Sequence, residues 1–270
     1  MRKVGLIGVG NMGGAILHGM LDAEYMKAQQ LYAYDKSFKR LDQLSNEIRG
    51  INLCQSASDL AEACDMIILA VKPNVLRSVV EEIVPVLNES KAVISIAAGW
   101  TVAMLGEALE GTGCSYLRVM PNTPAMIGEG MTAVCEETTM NEEDFAFAKG
   151  IFDAVGKTAV LPERVFDGVI AISGSSPAYV YMMIEAMADA GVAEGLTRNC
   201  AYEMAAQAVL GSALMVLQSG EHPASLKDAV CSPSGTTIDA VIELERKGFR
   251  AAIMDAMHAC AQKSREMAKK

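Results

Sequence analysis

Gly8-Val9-Gly10-Asn11-Met12-Gly13 follows an apolar β-type run, Val4–Ile7, and opens an amphipathic stretch over residues 12–21. A glycine at the first position allows a tight turn. One at the second lets backbone approach a pyrophosphate, and one at the third lets helix and strand pack closely. The helix that starts here presents unpaired N–H groups and a partial positive charge to phosphates. Asp35 stands about 20 residues on, at the end of a second β-type run, Leu31–Tyr34, where an acid that hydrogen-bonds a ribose hydroxyl belongs. The combination of strand, loop, helix and acid reads as the start of a Rossmann-type dinucleotide-binding domain. A glycine turn serving another ligand, such as S-adenosylmethionine, is the competing reading.

Working outward, residues 66–71, 92–96 and 116–119 are further strand candidates, and residues 75–84 form another helical stretch between them. Strands alternating with helices predict crossover units and a doubly wound parallel sheet, with ligands at the carboxyl ends of the strands. After Pro162 the β pattern stops. Residues 177–194 and 199–217 read as long helices with few charges and many alanines. Helices apolar nearly all round must be buried, and a half of this size has little interior to hide them, so a partner subunit is expected. The fold class is thus α/β: a Rossmann-type domain over residues 1–162, then an all-helical domain over residues 163–270.

Composition narrows the function. Half of the chain is hydrophobic (51%), so a core forms without disulfides, and the 18 methionines read as core filling. The net charge of −10, with no basic cluster beyond Lys269-Lys270, argues against nucleic acid as a partner. The 7 cysteines are odd in number and lack C-x-x-C spacing, which argues against zinc and fits a reducing cytoplasm. The apolar run after Met1-Arg2-Lys3 leads straight into the glycine loop with no cleavage-like segment, so no signal peptide is expected. The uncharged stretch 204–220 is shorter than the roughly 20 residues of a membrane span and carries several polar groups, so it reads as a buried helix and no membrane partner is expected.

Several segments are not explained by periodicity. They are Ala70-Val71-Lys72-Pro73, Ser95-Ile96-Ala97-Ala98-Gly99, Arg118 through Ala125, Ser173 through Tyr179, Asp189-Ala190-Gly191-Val192, and Leu226 through Thr237 with its Ser232-Pro233-Ser234-Gly235-Thr236-Thr237. In this order the set resembles the pyrroline-5-carboxylate reductase family, over essentially the whole chain. The resemblance implies NADPH- or NADH-dependent reduction of a cyclic imine, 1-pyrroline-5-carboxylate, to L-proline, the last step of proline biosynthesis. It implies a helical half that forms a homodimer and can assemble further. For the cofactor it points to Gly8, Gly10, Asn11, Met12, Gly13, Asp35, Lys36, Ser37, Ser56, Ala70, Val71, Lys72, Pro73, Ala97 and Ala98. For the substrate it points to Glu163, Ala229, Ser232, Gly235, Thr236 and Thr237, with Thr237 nearest the chemistry and so the catalytic candidate. No metal is implied.

Three departures from the family pattern stand out. Ser176 and Ser234 replace glycine, a change that costs little unless the backbone has positive φ. Only Ser56 and Ser58 stand where a cofactor-contacting Asn is common. Asp35-Lys36-Ser37 replaces Asn-Arg-Ser/Thr, so NAD and NADP preference is divided: Asp35 suits a ribose hydroxyl, whereas Lys36, Ser37, Lys39 and Arg40 suit a 2′-phosphate. From spacing alone, the hydroxyls at 232–237 also read as a cap for a helix over 238–246, and Glu163 as a first-turn carboxylate. Lys72 reads equally as a cofactor contact or a solvated loop lysine. His18, His222 and His258 are poorly placed to act as a general base. A related β-hydroxyacid dehydrogenase or a non-catalytic dinucleotide sensor are the other readings.

Overall fold

A computed structural model describes residues 2–268. The first half runs β1 (Val4–Ile7), α1 (Asn11–Asp22), β2 (Leu31–Tyr34), α2 (Phe38–Glu47), β3 (Asn52–Leu53), α3 (Ala57–Ala63), β4 (Met66–Leu69), α4 (Pro73–Ile83), β5 (Ala92–Ser95), α5 (Val102–Ala108), β6 (Ser115–Met120), β7 (Gly130–Cys135), α6 (Glu142–Asp153) and β8 (Gly156–Leu161). There follow α7 (Phe166–Val169), a wide helical turn over Ile170–Gly174, then α8 (Ser176–Ala193), α9 (Arg198–Ser219), α10 (Pro223–Val230), α11 (Thr236–Arg246) and α12 (Phe249–Met267). The α/β class and the all-helical second half are as read from the sequence.

The sheet order is β3-β2-β1-β4-β5-β6-β7-β8, parallel throughout except between β6 and β7. Alternation along the central strands sends side chains to both faces, which is why those strands are apolar at nearly every position. Leu6, Ile68 and Ile94 join Ile16, Leu17 and Met20 of α1 and Phe152 of α6 on one face. Ile7, Ile67, Leu69 and Val93 join Leu60 of α3 and Leu76, Val80 and Ile83 of α4 on the other. Each fully buried Leu, Ile or Phe contributes about 1.5–3 kcal/mol before entropy is counted.

Packing divides the chain into one unit of residues 2–175 with 260–268 and another of residues 176–259. The change of secondary structure at Pro162 and this packing boundary do not coincide, because Phe166, Ile170 and Ala171 are buried with the first unit. Several element readings need correction. Strands 66–71 and 92–96 stop at Leu69 and Ser95, and 116–119 lengthens to Ser115–Met120. The strands β3, β7 and β8 were not anticipated. β7 extends the sheet from β6 by an antiparallel step with no α-helix between them, outside the strand-helix alternation, and β8 then follows β7 in parallel through α6.

In the second unit, α8 and α9 approach closely at small residues. A Cβ on Gly191 would lie 3.3 Å from the Cβ of Ala201, and Ala188, Ala201 and Ala205 are buried. The outer faces are not covered. Met182, Met204, Leu214, Met215 and Leu217 are exposed. The stretch 204–220, read as a buried helix shorter than a membrane span, belongs to a longer helix whose outer face a single chain leaves exposed. α9 is 22 residues long, and among the described residues it is a helix long and apolar enough, by length and composition, to cross a membrane.

Candidate functional site

The glycine loop divides its tasks as the sequence implies. Gly8 has φ +97°, and a Cβ there would lie 2.6 Å from the Ala70 carbonyl oxygen. A Cβ on Gly13 would be driven into the Gly8 carbonyl oxygen. Gly10 is different: nothing lies within 4 Å of its Cβ position, and it is the N-cap of α1 with no side-chain capping bond. The first turn of α1, at Asn11, Met12 and Gly13, thus has no side-chain cap and begins beside a bare, uncrowded Gly10, the arrangement that receives a phosphate. Gly10→Val is expected to abolish dinucleotide binding while thermal stability stays near wild type, because the new side chain fills the ligand's space and no protein atom's. Calorimetric titration checks this; unchanged affinity would remove the loop from the cofactor site.

β1 and β4 are neighbours, and here the strand order changes direction, so the loops that follow them meet at the sheet's carboxyl edge. Ala70 touches the glycine loop from the β4 side, Lys72 is the exposed N-cap of α4, and Pro73 opens that helix. Ala97 is buried just beyond β5, its N–H bonded to Ser95 Oγ at 3.3 Å, with Ala98 beside it. Ser56 caps α3, accepting the Asp59 N–H at 3.0 Å.

Asp35 is buried and already engaged. One carboxylate oxygen accepts the Val9 N–H of the glycine loop at 3.0 Å, and the other accepts the Ser37 N–H at 2.8 Å. Arg40 pairs with it at 3.4 Å. Asp35 thus holds the loop in shape, a task its position in sequence does not reveal. Lys36 is exposed beside it, and Ser37 occupies the N-cap of α2 without a side-chain capping bond.

A second cluster was missed by the sequence reading except for Glu163. Arg118, on β6, is 5% exposed and donates to Glu163 Oε1 at 2.7 Å. Its guanidinium also lies 4.7 Å from the Phe166 ring centre. The same Glu163 oxygen accepts the Val102 N–H at 2.6 Å, at the N-terminus of α5. A carboxylate there answers both a free N–H and the helix dipole. Glu163's own N–H donates to Glu137 Oε2 at 2.7 Å, and that bond holds the Glu137 carboxyl below its ordinary range. Its contribution is complete above the ordinary carboxylate pKa and is lost as pH falls through the depressed value. Cys135, buried and bonded to Glu137, has its thiol pushed up to about 12, so it stays neutral and unreactive. A cavity of about 370 Å³ lies among these groups, lined by Thr101, Arg118, Glu137, Glu163 and Asp167. A charged residue within an otherwise apolar strand was the available sign of Arg118.

The Pro121-Asn122 step also gains a purpose. Asn122 is buried, accepts the Met131 N–H at 2.8 Å and donates to the Ser173 carbonyl at 3.1 Å. That carbonyl lies in the wide turn before α8, where helical bonding is disrupted and a side chain must supply a partner.

In the second unit, Ala229 lies in α10, and Ser232 and Gly235 lie in the turn before α11. Gly235 is the N-cap and no side chain caps the helix, so Thr236 and Thr237 are its first two residues. This corrects the reading of residues 232–237 as a side-chain cap for a helix starting at 238. Ser232 Oγ lies beside Gly235, and Thr236 and Thr237 follow in the uncapped first turn of the helix.

A family model for pyrroline-5-carboxylate reductase dimerisation matches residues 163–267. A model for coenzyme F420-dependent NADP oxidoreductases matches residues 3–99. The pyrroline-5-carboxylate reductase of Escherichia coli (strain K12) is 47% identical over 268 residues, spanning 99% of each chain. That of Arabidopsis thaliana is 41% identical, spanning 98% of this chain and 95% of its own. The chain belongs to the pyrroline-5-carboxylate reductase family. Among solved structures, the Plasmodium falciparum pyrroline carboxylate reductase with NADP bound superposes with a TM-score of 0.90, at 36% identity, covering 99% of this chain and 98% of that one.

Two departures from the reductase family's pattern now have different meanings. Ser176 begins α8 and is not among the residues with positive φ, whereas Ser234 has φ +58°. A serine in the left-handed region costs about 1 kcal/mol relative to glycine. Ser234→Gly is therefore expected to stabilise the reductase by about 0.5–1 kcal/mol in a denaturant melt, and Ser176→Gly to destabilise it. Equal effects would show that backbone conformation does not decide between the two. His222 caps α10, accepting the Ala224 N–H at 3.2 Å, and His18 faces Glu47 at 3.1 Å, so both have structural partners.

Proposed function

We infer that this chain reduces 1-pyrroline-5-carboxylate to L-proline at the expense of NADPH or NADH. The observation that carries the reading is full-length identity to pyrroline-5-carboxylate reductases, joined to a glycine loop whose free helix N-terminus fits a pyrophosphate. Gly8, Gly10, Asn11, Met12 and Gly13 take the pyrophosphate. Asp35, Lys36 and Ser37 face the adenosine ribose, and Ser56, Ala70, Val71, Lys72, Pro73, Ala97 and Ala98 complete the dinucleotide's lining. The reduced nicotinamide, when bound, supplies the hydride.

A cyclic imine asks for alignment more than for acid-base work. Its nitrogen arrives protonated, so the carbon is already electrophilic, and close placement of donor and acceptor does the rest. Ala229, Ser232, Gly235 and Thr236 hold the carboxylate, Thr237 holds the ring nitrogen, and Glu163 supplies the acid on the substrate side. If hydride goes to the imine carbon, reaction with nicotinamide-deuterated NADPH puts deuterium on the ring carbon next to nitrogen and distant from the carboxylate, as read by NMR. Deuterium elsewhere, or none, refutes the assigned reaction.

Residues 1–162 serve the dinucleotide and residues 163–270 serve substrate and dimerisation. The exposed apolar faces of α8 and α9 are covered by a second copy, in the cytoplasm, and neither membrane nor nucleic acid is a partner. Analytical ultracentrifugation at micromolar concentration is expected to show a dimer or a multiple of it. A monomer would mean that these faces are not a subunit interface.

A further inference from the structure

We propose that the last two turns of α12 are a positioning element for the dinucleotide, acting through Gly99. The proposal rests on the reading that Ala97 and Ala98 line the cofactor.

Three contacts join the end of α12 to the body of the first unit. Cys260 Sγ donates to Ser175 Oγ at 3.2 Å. Ser264, only 6% exposed, donates from Oγ to Asp167 Oδ1 at 2.6 Å. Met267 covers Gly99: a Cβ on Gly99 would lie 3.1 Å from Met267 Cβ and 3.5 Å from its Cε. Gly99 has φ +79° and is buried at the point where the chain leaves β5 and turns toward α5. The two ends of that short connection are held differently. Its start is fixed by Ser95, whose hydroxyl accepts the Ala97 N–H, and its end is fixed by the Glu163 carboxylate on the Val102 N–H. Between them, the three atoms nearest a Cβ on Gly99 all belong to Met267 of the helix end. A hydroxyl-to-carboxylate bond in a low-exposure setting is among the stronger neutral-to-charged contacts, so Ser264 sets the height at which Met267 meets Gly99.

The consequence is specific. Freeing the helix end lets residues 97–99 move, and a cofactor-lining segment that must be ordered on binding lowers affinity without touching chemistry. Ser264 and Met267 are positioning residues, since neither touches a reacting atom.

The test uses the full chain in three forms, Ser264→Ala, Ser264→Thr and Met267→Ala, with NADPH as the probe. Ser264→Ala is expected to weaken NADPH binding about tenfold, the worth of one hydrogen bond to a charged acceptor. The KM for NADPH rises by the same factor, and kcat and the KM for the imine stay within about twofold of wild type. Ser264→Thr restores the hydroxyl and the affinity, and Met267→Ala shows a smaller loss of the same kind. Hydrogen exchange of the peptide spanning residues 95–99 quickens in the free Ser264→Ala protein. A lower melting temperature with NADPH affinity unchanged in both Ala variants would overturn the proposal and leave the contacts merely structural. Failure of NADPH to slow exchange at 95–99 in the wild type would instead refute the reading of that segment, whatever the variants do.

Discussion

Thr237→Ala is expected to cut imine reduction by roughly 10- to 1000-fold, the loss that follows when one transition-state hydrogen bond worth about 1.5–4 kcal/mol is removed. Dinucleotide affinity should not change, because Thr237 belongs to the helical unit and the glycine loop to the other. Stability should change by no more than about 0.5 kcal/mol, as for a surface substitution without special features. Gly235, not Thr237, is the N-cap of α11, so no capping bond is lost. Turnover and stability therefore report different things. Steady-state kinetics beside a denaturant melt separates them: normal turnover in the variant would move the reacting centre away from residues 232–237.

Glu163→Ala should destabilise the protein by about 3 kcal/mol, the lower end of the range for breaking a buried ion pair. The cost arises mainly from Arg118, whose side chain is 6% exposed and would be left charged without a carboxylate, while Glu163 itself is 25% exposed. The Val102 N–H loses its acceptor at the same time. Glu163→Gln keeps a carbonyl oxygen for that N–H and for Arg118, so it should cost about half as much. Equilibrium unfolding in urea reads both. If the Ala and Gln variants were equally stable, and near wild type, the pair would not be holding α5 and the turn after β8 together.

What the sequence made readable was local. The glycine loop, its strand and its helix are adjacent in the chain, and their steric logic can be followed residue by residue through Gly8, Gly10 and Gly13. The apolar runs of β1, β4 and β5 announce a sheet covered on both faces. What was hidden depends on distance in the chain. Arg118 and Glu163 are 45 residues apart and meet because the antiparallel step from β6 to β7 sets Val119, through Val134, level with Val160 near the end of β8. The bond from the Val9 N–H to Asp35 likewise needs β1 and β2 side by side. β7 escaped notice because it pairs antiparallel with β6 with no α-helix between them, and β8, which follows through α6, was lost with it. The φ of Ser234 is a property of one turn, and a serine there looks no different from a serine in a helix. The helical half was readable as apolar, but the length of α9 makes the same pattern fit a membrane span as well as a subunit face, and periodicity alone does not choose.

The most direct test of the central claim is to mix the purified chain with NADPH and 1-pyrroline-5-carboxylate and follow the absorbance of the reduced nicotinamide. The predicted result is a loss of absorbance that requires both the chain and the imine, stops when the limiting reactant is consumed, and leaves L-proline in equal amount. NADPH that binds, as shown by calorimetry, yet is not oxidised when the imine is added would contradict the account and make the chain a dinucleotide-binding protein without this activity.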